Sequence, residues 1–148
     1  MARRFSLAAA LALLPFGAVR AATLVGKEHR VTFQVSSNDK AVMNLTLNNI
    51  GNLQNEFHKL GQTVQMELVA FGPGLVMLRD DTSPVKARLT QMKEAMPNLT
   101  LSACNNTKLA MERAEGHEII ILPVARIVPA GIVRLINLQE QGWAYIRA

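Results

Sequence analysis

The stretch LTLSACNNTK, residues 99–108, decides how the chain is read. Its first half alternates apolar and small polar residues, the pattern of a short strand. Asn105, Asn106 and Thr107 follow, each able to cap a helix by accepting a hydrogen bond from a free backbone N–H. A helix from about Lys108 to Glu115, stopped by Gly116, completes the unit. Cys104, the chain's only cysteine, therefore falls where a strand passes into a helix. In an open α/β sheet, ligands and reactive groups collect at that edge. A helix N-terminus also favours a thiolate over a thiol, and Lys108, about one turn on, could add positive charge.

Upstream, residues 29–35 (HRVTFQV) read as a first strand with Val31, Phe33 and Val35 on one face. A loop with several helix caps, residues 36–39, leads into an amphipathic helix over 40–60. Its apolar positions Met43, Leu47, Ile50, Phe57 and Leu60 recur at helical steps, and Gly61 stops it. A second stripe on the same helix is Asn44, Asn48, Asn52 and Asn55. Asparagine is an indifferent helix former. Asn52 and Asn55 fit a solvated face; Asn44 and Asn48, nearer the helix start, could offer amides to a bound group or a neighbouring subunit. Residues 62–71 (QTVQMELVAF) are a second strand, with Val64, Met66, Leu68 and Ala70 alternating with Gln65, Glu67 and Val69. Gly72-Pro73-Gly74 then makes a tight turn. Its amides can approach a ligand or another chain, or it is a plain corner. Leu75 to Leu78 is an apolar patch in the connection. Arg79-Asp80-Asp81-Thr82 is a polar loop in which the two acids serve capping. Ser83-Pro84 starts a helix, with Val85, Leu89, Met92 and Met96 on its core face; methionines there read as packing.

Downstream, residues 119–122 and 125–128 compete for one strand position on either side of Pro123. Residues 131–141 repeat apolar positions at helical spacing up to Gly142, and residues 143–146 close the chain as a short strand carrying Trp143 and Tyr145 as core or subunit contacts. Strands and helices alternating in this way predict an α/β fold: a three-layer α/β/α sandwich with a mainly parallel sheet.

The N-terminal residues have the form of a signal peptide: Arg3 and Arg4, an apolar run from Leu7 to Ala18, and small or aliphatic residues before a cleavage site after Ala21 or Ala22. The run is short for a span, which takes about 20 residues, so cleavage is preferred to a retained anchor. Arg3-Arg4 raises twin-arginine export, although Ser6 suits the general secretory route as well. Cleavage leaves one domain of 127 residues. It also removes Arg3, Arg4 and Arg20, so that 13 basic residues face 11 acidic ones, a formal +2. No basic stripe interleaved with aromatics remains, which argues against nucleic-acid binding. A single cysteine forms no internal disulfide, and without a C-x-x-C pair a dithiol mechanism is excluded. His29, His58 and His117 lack ligand spacing, so no metal site is read. Neither a serine–histidine–acid set nor a dinucleotide-type glycine loop is present, and no cofactor is implied.

The segments VTFQVSSNDKAVMNLTLNNIGNL (31–53), VAFGPGLVMLRDDTSPV (69–85), SACNNT (102–107) and IVPAGIVRLINLQEQGWAYIR (127–147), in that order, resemble the DsrE/DsrF-like family of small α/β proteins, specifically its exported single-domain members. The resemblance implies a five-stranded sheet, residues 125–129 as the strand with 117–123 as a short turn or helix, and assembly into a homotrimer or hexamer. It also implies a periplasmic location and sulfur relay, in which Cys104 would carry sulfane sulfur as a persulfide between donor and acceptor proteins. The candidate catalytic residue is then Cys104. The candidate ligand-binding residues are Asn44, Asn48, Gly72, Gly74, Asn105 and Thr107. A non-catalytic oligomeric protein binding a small ligand or partner near Cys104, Asn44 and Gly72 is the alternative.

Overall fold

A computed structural model describes residues 26–147; the expected signal peptide and cleavage site lie outside the described residues. Five strands alternate with helices: β1 (Glu28–Val35), α1 (Lys40–Lys59), β2 (Thr63–Ala70), a 3-10 segment (Gly72–Leu78), α2 (Lys86–Ala95), β3 (Leu99–Cys104), α3 (Asn105–Glu115), β4 (Arg126–Val128), α4 (Gly131–Glu140) and β5 (Ala144–Arg147). The strand order is β4-β3-β2-β1-β5 and every pairing is parallel. The α/β architecture expected from the alternation is the one observed.

The order explains the layers. The chain steps from β1 to β2, β3 and β4 in one direction, then jumps from β4 back across the sheet to β5. Crossovers between parallel strands are right-handed, so reversing direction puts α4 on the opposite face from α1, α2 and α3. The packing agrees. Met43, Leu47 and Ile50 of α1 and Leu89 of α2 join Phe33, Met66, Leu68 and Leu101 of the sheet in one buried cluster. Leu135 and Leu138 of α4 join Val69, with Phe71 and Trp143 alongside, in a second. Side chains alternate along a strand, so odd-numbered β2 residues such as Val69 and Glu67 face α4.

Local chemistry sets the boundaries. Asp39 caps α1 by accepting the Ala41 N–H at 2.7 Å. Gly116, at φ 74°, closes α3 in the left-handed conformation. Four expectations need correction. Helix α3 begins at Asn105 rather than Lys108, so Asn105, Asn106 and Thr107 are its first turn and Cys104 occupies the capping position, with no side-chain cap. Helix α2 begins at Lys86 behind Val85: the Ser83 hydroxyl donates to the Met77 carbonyl at 2.5 Å and accepts the Val85 N–H at 3.4 Å, ahead of the helix. Residues 75–78 are helical, in the 3-10 segment, with Leu75, Met77 and Leu78 buried. Asp80 and Asp81 are ion-paired, with Lys86 and Arg79 respectively. The competition around Pro123 resolves to residues 126–128 as β4. Residues 117–123 form no helix; Ile121 bridges antiparallel to Arg79, and Ile119 and Leu122 are buried.

Candidate functional site

Cys104 is the last residue of β3, at the carboxyl rim of the sheet. It lies two residues beyond Ser102 and so shares its face, the one covered by α4. Two helices begin beside it. Helix α3 starts at the next residue, and α4 starts at Gly131, three residues past the end of β4, whose Val128 is paired with Cys104. The Asn106 N–H is held by the Pro129 carbonyl at 3.2 Å, which ties the two helix starts together. Gly131 is required there: a Cβ would stand 2.9 Å from that of Phe71.

Cys104 is 5% exposed. Burial pushes the thiol pKa up, but hydrogen bonding by the Thr107 hydroxyl and by the backbone N–H groups of Gly131, Thr107 and Asn106 outweighs it and brings the pKa below the ordinary thiol value. Thr107 is committed on its other side as well, accepting the Gly72 N–H at 2.9 Å. That bond joins the turn after β2 to the first turn of α3, with Gly72 at φ 53°. An open cleft of about 610 Å³ lies between these two elements, lined by Gly72, Pro73, Val76, Asn106, Thr107 and Met111. Two candidate ligand-binding residues, Gly72 and Thr107, are thus brought together beside Cys104, and partly exposed Asn105 opens the same helix.

Other candidates go elsewhere. The Asn44 side-chain oxygen accepts from Arg88 Nη1 at 2.8 Å and that of Asn48 from Arg88 Nη2 at 2.6 Å, a clamp between α1 and α2 away from the cleft's walls. Gly74 is buried with its Cα against β1, where a Cβ would lie 2.3 Å from the Val35 carbonyl oxygen; its role is close packing. Lys108 is ion-paired with Glu112, so its charge is directed along α3 rather than at Cys104.

One polar cluster was not among the candidates. Glu67, 2% exposed in the middle of β2, receives Arg134 Nε and Nη2 at 2.8 and 2.7 Å, Arg126 Nη2 at 2.8 Å and the Ser102 hydroxyl at 2.7 Å. Ser102 in turn accepts from Arg126 Nε at 3.0 Å. Burial raises the Glu67 pKa, but hydrogen bonds from Arg134, Ser102 and Arg126 outweigh that and hold it below the usual carboxylate range. The available signal was Glu67's place in the strand's run MELVA, where every neighbour is apolar, on the same parity as Val69.

Among solved structures, the chain is similar to MTH1491, a protein of unknown function from Methanobacterium thermoautotrophicum. The two are 28% identical with a TM-score of 0.69, over 81% of this chain and 99% of that one. No protein-family model and no curated protein matches the chain.

Proposed function

We propose that the protein is an exported, periplasmic carrier of sulfane sulfur that holds it as a persulfide on Cys104. The observation that carries this reading is the sulfur's setting between the starts of α3 and α4, where a hydroxyl and three backbone N–H groups favour its anion. In the transfer, the Cys104 thiolate attacks the outer sulfur of a donor persulfide. A new S–S bond forms at Cys104, the donor's S–S bond breaks, and its electron pair leaves on the donor thiolate; the transferred sulfur keeps its proton. No electrons are gained or lost overall, so no cofactor is called for. An acceptor thiolate reverses the step. The shallow exposure of Cys104 suits a slender donor, such as a polysulfide or a cysteine persulfide on a mobile segment.

The reading includes a homo-oligomer, trimer or hexamer, supported by Ile132 and Ile136, which stand half-exposed on α4. The alternative, a non-catalytic binding protein, draws on the open cleft at Gly72 and Thr107 and on the burial of Cys104. Intact-mass spectrometry after polysulfide exposure separates the two. A gain of one sulfur atom, lost in Cys104→Ser and reversed by a reductant, is expected for the carrier. No gain from any donor, with a thiol inert to alkylation in the folded protein, would leave the binding protein.

A further inference from the structure

The Glu67 cluster does more than fill space under α4. Arg126 and Arg134 share one carboxylate, which leaves an excess of one positive charge. Each guanidinium has five N–H donors and spends two on Glu67 and Ser102, so the Nη1 groups of both stay unspent. Among the described residues neither arginine has another carboxylate partner. Their side chains are 49% and 26% exposed, and both line a cavity of about 400 Å³ between β4 and α4. The remaining wall is mostly apolar, with Ile127, Val128, Pro129 and Val133.

We infer that this cavity is a binding site for a small monocarboxylate with an apolar tail, its head on Arg126 and Arg134 and its tail along Val133 and Pro129. The buried Glu67 is what makes the forks selective. It fixes both guanidiniums before any ligand arrives, so little rotamer entropy is lost on binding. It also cancels one of the two charges, so a single negative charge completes the cluster and a doubly charged anion overfills it. Cavity size and polarity suit a small ligand with one polar end. The site stands independently of the chemistry at Cys104.

Calorimetric titration of the full chain with acetate, butanoate, hexanoate and neutral hexanol tests this. Affinity should rise from acetate to hexanoate by roughly fourfold for each methylene buried, with hexanol at least about tenfold weaker than hexanoate for want of the charge-assisted bonds. Arg126→Met should weaken hexanoate at least about tenfold and leave hexanol unchanged. Val133→Trp places an indole in the tail's path at a half-exposed position with no polar partner, and should abolish the chain-length dependence while acetate still binds. If Arg126→Met fails to fold by circular dichroism, Val133→Trp decides. Absence of hexanoate binding, equal binding of hexanol, or a chain-length dependence that survives Val133→Trp overturns the inference. None of these readouts involves sulfur transfer, so the two proposals stand or fall separately.

Discussion

The Thr107 hydroxyl accepts the Gly72 N–H and also favours the anion of Cys104. Thr107→Val should therefore raise the midpoint pH of Cys104 alkylation, and slow the reaction at neutral pH, with the fold intact by circular dichroism. Removing the Glu67 charge acts on stability instead. Glu67→Leu leaves two solvent-reaching guanidiniums without their carboxylate, and should cost about 1.5–3 kcal/mol in urea unfolding, the worth of hydrogen bonds to a charged group. Acid sensitivity has a second source in Arg79, which is buried and grips Asp81 and Glu115. Hydrogen bonding by Arg79 lowers the Asp81 pKa from 3.8 to about 2. The folded-state value lies below the unfolded one, so this contribution is complete above the unfolded value and disappears as pH falls from about 4 towards about 2. In Asp81→Asn, the fall of the urea midpoint over that range should be shallower than in the wild type. At this scale, the place of Cys104 was legible because strand alternation and a run of capping residues are local signals. The partners of Glu67 were not. They come together only through the pairing of Ser102 with Arg126 and the return of α4 across the sheet, and neither is written in any short window.

Helix and strand identities followed from periodicity, whereas boundaries followed from competition for single polar groups. Ser83 looks like the cap of α2, but its hydroxyl donates to the 3-10 segment and accepts only from Val85, ahead of the helix, and the asparagines after Cys104 became helix rather than cap. The asparagine stripe on α1 was visible as a pattern; that Arg88 would answer it depended on how α2 docks. Arg88→Ala should cost about 1 kcal/mol, the worth of ordinary hydrogen bonds between partly exposed groups. Gly74 is stricter. An alanine there meets backbone atoms of β1, which cannot swing aside as a side-chain end could. Gly74→Ala should destabilise by about 3 kcal/mol, at the upper end of ordinary overpacking, and thermal melting would show it.

For the molecule as a whole, one helix covers a sheet face that three helices cover on the other side, and that helix carries half-exposed isoleucines outward. If α4 meets neighbouring copies, as proposed, Ile132→Glu with Ile136→Glu should sediment as a monomer while changing the unfolding free energy of the isolated chain by no more than about 0.5 kcal/mol each. No helix among the described residues is long and apolar enough to cross a membrane. The strand order also bears on biosynthesis. Strand β1 is the first of the five strands to be made, yet its flank at Val31 to Gln34 is met by Ala144 to Arg147 of β5, the last of the five. Until β5 emerges, that flank offers unpaired backbone groups to any passing β-prone segment. A nascent chain stalled before Ala144 would be the aggregating species, though its other four strands had been made.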